Sequence, residues 1–447
     1  MSQHAAGRSK PGPAAAVAVV MAFAAACAAA PQSPPAATIT PQAATPVATP
    51  TAGLELPLED VTLRPRPGGL GWYVAGLVRN PSDEAWREVV LHVSLVGDGQ
   101  LVAEAVVPLP WTHIGPGETA PFEATFEAIG PADVVQVALA SFEPASFRRA
   151  RVTTREVHIV QGGPRDPHIL GSIVNESGDP VELTAAVVLA RDEAGEIVEL
   201  VSEVAVPARL EAGERAPFVA QLESRQPVTA AEVYLDGLVA EVDVPTAFSL
   251  VGAPQMHLDA QGDPFWVGVV RNESAAPQSL IGVAGWTLEG ALIGAAALSA
   301  PVPLDPGERL AFGLAEVPGI GAWMRETGGD PAVLSLSLWL TPSTAEVAGE
   351  AVPLALTVRS IEAIGGNLFL RGEVRSPGTG ELERASVLAA LRDTEGELLS
   401  AGWTEAAARL GPEESAEFLL VLALPMGVEL AGVEYDLRAV GLRRVGD

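Results

Sequence analysis

The sequence predicts an all-β chain: a tandem array of four β-sandwich domains carried behind a disordered tether. Three observations predict it. A strand-like phrase closing on glycine returns along the chain in constant company, the stretches between are patterned with a period of two, and helical periodicity is nearly absent. The phrase is GLVRNPS at 76–82, GSIVNES at 171–177 and GVVRNES at 268–274, with a divergent fourth form from Gly372 to Ser376.

Four landmarks recur in order. The first is the strand ending on Gly76, Gly171, Gly268 or Gly372, with Asn80, Asn175, Asn272 or Ser376 four residues later. The second is a glycine 22 to 24 residues on: Gly99, Gly195, Gly290 or Gly396. The third is a tetrapeptide: GPGE (115–118), EAGE (211–214), DPGE (305–308) or GPEE (411–414). The fourth is a phenylalanine five residues beyond the third member of each tetrapeptide: Phe122, Phe218, Phe312 and Phe418. The copies are offset by 95, 97 and 104 residues, a spacing that places one unit at 54–150, the next at 151–247, then 248–350 and 351–447.

Each landmark has a mechanical reading. The strand glycine permits a bulge or close sheet packing. The asparagine ends its strand, because its side chain bonds its own backbone and tolerates a left-handed turn. The second glycine supplies the positive φ of a hairpin. The tetrapeptide turns the chain into a strand whose phenylalanine plugs the core. In 87–97, Val89, Leu91, Val93 and Leu95 alternate with more polar neighbours, as in a strand with one buried face. Leu334, Leu336, Leu338 and Leu340 do the same around Ser335 and Ser337. Short strands bounded by Gly, Pro, Asn and Asp in a unit of this size predict an immunoglobulin-like sandwich.

Ahead of the repeats, residues 1–26 read as an export signal: Arg8 and Lys10, then an apolar run from Ala14 to Ala26. The run is short for a membrane span, which needs roughly 20 apolar residues. Cys27 follows it and is the only cysteine, so no internal disulfide can form. Its position is similar to the lipidated cysteine of bacterial lipoproteins, although Ala24 stands where leucine is favoured. The alternative is ordinary cleavage near Ala28 to Pro31. Residues 27–53 carry no charge and are rich in Pro, Thr and Ala, the composition of an extended tether. At ~3.1 Å per residue, its ~26 residues reach about 80 Å.

Composition excludes more than it selects. A formal charge of −29, from 27 basic and 56 acidic residues, repels phosphate backbones and anionic lipid headgroups, which argues against nucleic acid as a partner.

The G-x-V-x-N strand, a later strand ending in Asp before a glycine turn, and L-x-P-G-E with a downstream Phe together resemble the FxLYD family of immunoglobulin-like domains. The resemblance covers most of 54–447 in four divergent copies. Where the family name has Leu-Tyr-Asp, the second and fourth copies read ARD (190–192) and LRD (391–393), and the first and third read GDG and LEG. The resemblance implies a secreted or membrane-anchored bacterial location and transfers no catalytic residues.

The chemistry-bearing residues form no known constellation. The six histidines show neither HxH nor HExxH spacing, and His92 reads as a solvated strand residue. Asp192, Glu193 and Glu196, like Asp393, Glu395 and Glu397, have the oxygen ligands of a calcium site but also the composition of a turn. The NES triplets at 175 and 272 match a glycosylation acceptor, but turn chemistry is the favoured reading. Trp72 and Trp266 share an early-strand position that favours core packing. No catalytic residue, metal site or cofactor is implied. The third copy carries an insertion, 319–331, centred on Trp323, Met324 and Arg325, residue types enriched at interfaces. These three are the candidate partner-binding residues.

The expected protein is therefore a non-enzymatic lipoprotein, exported and held on the bacterial envelope through lipidated Cys27, serving as a spacer or protein-binding scaffold. A carbohydrate- or ion-binding envelope module is the alternative, with an envelope protein or glycan as candidate partner. The sequence sets no oligomeric state.

Overall fold

Strands come in four successive stretches of chain, each supplying two antiparallel sheets, in a computed structural model that describes residues 54–444 apart from 67–70, 128–129, 161–166, 225, 241–246, 343–348 and 379. The signal, the tether and Cys27 lie outside the described residues. In the first stretch, Leu58–Pro65, Trp72–Arg79 and Thr119–Phe126 form a three-stranded sheet in that order. Ala85–Gly97 is the hub of the second sheet and pairs with Gln100–Pro108, His113–Ile114 and Val134–Ala145. The pattern recurs over 152–239, 248–342 and 349–444, which we call blocks two to four. The fold is all-β, with one eight-residue helix, Ile320–Thr327, among the described residues.

The first and fourth landmarks are partners. Gly76 lies directly opposite Phe122, Gly171 opposite Phe218, Gly268 opposite Phe312 and Gly372 opposite Phe418. Each ring lies over its glycine: a Cβ added there would stand 3.2, 2.7, 2.5 and 2.6 Å from the ring in the four blocks. On the other edge of each glycine strand, the first strand of the block bulges, between Glu59 and Thr62, Arg155 and His158, and Val358 and Ser360. In block three it is divided outright into Phe248–Leu250 and Gln255–Leu258. Close packing and the bulge therefore act together, and glycine accommodates both. All four phenylalanines are buried.

The second and third landmarks join through a buried polar hub. Asn80 donates from Nδ2 to the carbonyls of Glu84 (2.8 Å) and Gly115 (3.2 Å), while its Oδ1 accepts the Ser82 amide (2.9 Å). Asn175 and Asn272 repeat the arrangement with Asp179 and Glu211, and with Ala276 and Leu304. None of the three has a positive φ, so the left-handed turn expected here is not formed. The asparagine instead ties its strand end to the tetrapeptide turn and satisfies carbonyls that burial would otherwise strand. In block four Ser376 is too short to do so, and its buried hydroxyl has no partner.

The tetrapeptide is a turn with positive φ at its third residue, Gly117, Gly213 and Gly307, and in block four the non-glycine Glu413. Proline at the second position of three copies fits the type II geometry. The hairpins fall into two kinds. Asp98–Gly99 and Glu289–Gly290 have paired positive φ, a two-residue type I′ turn. Asp192 and Asp393 instead accept backbone amides two and four residues ahead, and the preceding Arg191 and Arg392 hold the carbonyls of Gly195 (2.9 Å) and Gly396 (2.8 Å). That explains the Arg-Asp pair.

Blocks do not hang as separate beads. In the first three blocks the outward face of the sheet that holds the glycine strand is covered by a sheet of the next block. Leu77 shares a buried cluster with Val187, Leu189 and Leu200. Leu170 and Val219 pack with Val283, Leu292 and Ala295, and Phe265 and Val267 with Ala390, Leu398 and Ala401. The glycine strands of the first three blocks are accordingly buried on both faces, whereas Asn367–Arg375 alternates buried with exposed or half-buried residues. Its outward Arg371 and Glu373 replace apolar or small residues, and Arg359 bridges Glu373 and Glu417 across that face. At the other end, His92 faces Glu104 at 3.3 Å on the outward face of block one. The two end faces are mixed: exposed Val106 lies beside His92 in block one, and exposed Leu419 beside Arg371 in block four.

Phe418→Ala should cost about 3–5 kcal/mol, and Ser376→Asn should add about 1 kcal/mol by rebuilding the hub. Urea unfolding of the full chain measures both. A neutral Phe418→Ala, or a destabilising Ser376→Asn, would show that the fourth copy is built on a different plan.

Candidate functional site

The insertion in block three forms the helix Ile320–Thr327, capped at its end by Gly328 in the left-handed conformation. Gly319 starts it because a side chain there would meet the Ile293 carbonyl, 2.2 Å from an added Cβ. Ile320 is buried in the block's core and Met324, one turn on, packs against the same cluster. Trp323 is half-buried, its ring so close to Gly329 that an added Cβ would lie 2.3 Å away. Arg325 is exposed. The three candidate residues therefore do not converge on one surface: Met324 faces inward, Trp323 rests on the following loop, and Arg325 alone points to solvent.

The remaining candidates serve the architecture. Asn175 and Asn272 are fully buried, which closes their amides to glycosylation in the folded chain and leaves the turn reading. Trp266 is buried against Trp286, ring centroids 4.9 Å apart, and Trp72 donates its indole N–H to the Gly130 carbonyl at 2.9 Å. Among the described residues no group of three or more His, Asp or Glu is placed to hold a metal ion.

Sequence reasoning missed the carboxylates that join the blocks. The last residue of each tetrapeptide uses one oxygen for its own turn: Glu118 accepts the Gly115 amide, Glu214 that of Glu211 and Glu308 that of Asp305, each at 2.7 Å. The other oxygen reaches forward. Glu118 accepts from Arg149 (3.1 Å), Glu214 from the Trp339 indole of block three (2.8 Å), and Glu308 from Arg438 of block four. The recurring glutamate was visible in the sequence. Its distant partners, three different donors, were not.

The first junction is the most polar. Asp236, fully buried in block two, accepts the amides of Thr112 (3.2 Å) and His113 (3.0 Å) from block one, the Thr184 hydroxyl (2.7 Å) and the Arg149 guanidinium. Arg149 also donates to the His113 carbonyl at 2.9 Å and lies over the Phe147 ring at 4.8 Å. Burial opposes ionisation of Glu118, yet Arg149 and the Gly115 amide hold its pKa below the usual carboxylate range.

Nearby, Tyr73 donates its hydroxyl to Glu123 (3.1 Å) and accepts the Leu200 amide of block two (2.9 Å). Burial, with the neighbouring charges of Glu199 and Glu223, pushes the Glu123 pKa up. The arrangement can bind a proton at a junction; it presents no nucleophile with a base. Compared with known proteins, the chain matches no family model, and no curated protein matches it.

A carboxylate whose folded pKa is raised stabilises the fold less once it ionises. Stability should therefore decline as pH rises from the ordinary glutamate value of about 4.3 through the raised value of Glu123. Glu123→Gln keeps an acceptor for Tyr73 and should flatten that decline, making the variant more stable than the parent at neutral pH. Thermal unfolding of both proteins across pH 4–8 (roughly the span in which such shifts act) reads this out. Parallel curves would mean that Glu123 carries no charge penalty.

Proposed function

We propose that the protein is a non-enzymatic spacer and binding scaffold of the bacterial envelope, built from immunoglobulin-like domains of the FxLYD type and anchored through lipidated Cys27. The observation that carries this reading is the repeated junction, in which the outward sheet of each of the first three blocks is covered by the next and clipped by a turn glutamate. Such an array resists bending, as a spacer requires. Eight sheets at about 10 Å per layer give a length on the order of 70 Å. An uncharged Pro/Thr/Ala-rich stretch behind a lone cysteine suits the base of such a stalk.

Expressed with its signal in a lipoprotein-processing bacterium, the parent should partition with membranes into detergent, and Cys27→Ser should release it to the soluble fraction. A variant that partitions like the parent would remove the lipid anchor from the proposal.

A further inference from the structure

A cavity of about 1030 Å³ runs along one side of the stack and is lined from all four blocks, from Tyr73 in the first to Trp403 in the fourth. Its walls are edge strands. Thr119–Phe126, Arg215–Gln221, Arg309–Leu314 and Ser415–Ala423 each pair with a glycine strand on one side and, among the described residues, with no further strand on the other, save the single bridge of Ala205 to Val219. An unpaired edge presents a row of amides and carbonyls to whatever lies beside it.

The copies differ in how that edge is closed. The residue before the landmark phenylalanine is Pro121 in block one and Pro217 in block two, each paired in register with the glycine strand. Proline has no amide hydrogen, so the ladder does not use the amide of this position, which faces the open edge. In block four the position holds Glu417, and the cavity's lining there begins only at Val421. In block three it holds Ala311, and Arg309–Leu314 contains neither proline nor carboxylate. Leu310 to Leu314 all line the cavity. Of the four equivalent edges, block three's is the one with neither proline nor carboxylate along it, and its one charged residue, Arg309, stands outside the cavity's lining.

The surroundings select the occupant. Glu199, Glu203, Glu223 and Glu316 line the cavity against Arg64, Arg66 and His168. Arg64 is committed to the Val198 carbonyl and to Gln226. The lining includes a run of small residues, Ala296, Ala297, Ala401 and Gly402 among them, beside the larger Leu298 and Trp403. Small side chains leave room for an added backbone, and the carboxylates favour a cationic one.

We propose that this cavity binds an extended, basic polypeptide segment with small apolar side chains, which adds as a strand to the Arg309–Leu314 edge. The inference deepens the scaffold reading by naming where a partner docks. It is tested on soluble protein, so the fate of the lipid anchor does not bear on it.

The probe is a fluorescein-labelled peptide, Arg-Lys-Val-Ala-Val-Ala-Val-Lys-Arg, followed by fluorescence anisotropy. Saturable binding that weakens with salt is expected. Ala311→Pro, which installs the residue native to blocks one and two, should weaken it by about tenfold or more while leaving thermal unfolding unchanged. A peptide N-methylated at alternate residues should lose binding to the parent protein, which keeps the test decisive should Ala311→Pro disturb the fold. Glu199→Gln with Glu203→Gln should reduce the salt dependence. Equal binding by the N-methylated peptide or by a folded Ala311→Pro variant would overturn strand addition. Equal binding by a peptide with glutamate at its ends, or no saturation, would overturn the proposal as a whole.

Discussion

A thin sheet that is apolar on both faces cannot leave either one in water, and the stack follows from that constraint. The strands around Gly76, Gly171 and Gly268 turn one face toward their own phenylalanine and the other toward the next block. The hydrophobic effect acts on both faces, at roughly 25 cal/mol per Å² of apolar surface removed from water. A block taken from the middle of the array would expose an inner face on each side. The fourth block escapes on one side because Arg371 and Glu373 make its last face wettable.

Direction and register come from polar groups. Face-to-face apolar packing is indifferent to small slides and rotations, whereas a glutamate with one oxygen on its own turn and one on the neighbouring block is not. Glu118, Glu214 and Glu308 therefore fix how each block sits on the next, although their donors are an arginine of the connecting segment, an indole and an arginine of the next block. Inside each block the buried asparagine does similar work, holding the strand end to the turn that carries the glutamate. The chain of contacts runs from glycine strand to asparagine, to turn, to glutamate, to the following block. Block four departs at its asparagine and its turn glycine, with Ser376 and Glu413, and it is the block with no successor in the described chain.

Much of this was legible before any coordinates. The four landmarks located the strand, hairpin, turn and core aromatic of each copy, because those features depend on residues close in sequence and on period-two burial. The pairing of landmark glycine with landmark phenylalanine, 46 residues apart in the first copy (76 to 122), was implicit in the constant spacing but needed the sheet register to be seen. Besides the partners of the turn glutamates, two things were not legible. The asparagines read as turn residues because Asn-x-Ser is common turn chemistry, and nothing local showed the carbonyls about 35 residues on that they would satisfy. The insertion around Trp323 read as a binding loop from its composition, yet the buried Ile320 and inward Met324 tie it to the core, since a helix must bury one face whatever its sequence suggests at the centre.

The central claim is that the blocks are energetically one stack. Native-state hydrogen exchange on the full chain carrying Val219→Asp tests it most directly, because Val219 lies on block two's outward face against Leu292 and Ala295. The account predicts that a carboxylate there lowers protection in Arg215–Gln221 of block two and equally in Leu280–Leu288 and Ala291–Ser299 of block three. Loss of protection confined to block two, with block three exchanging as in the parent, would contradict it.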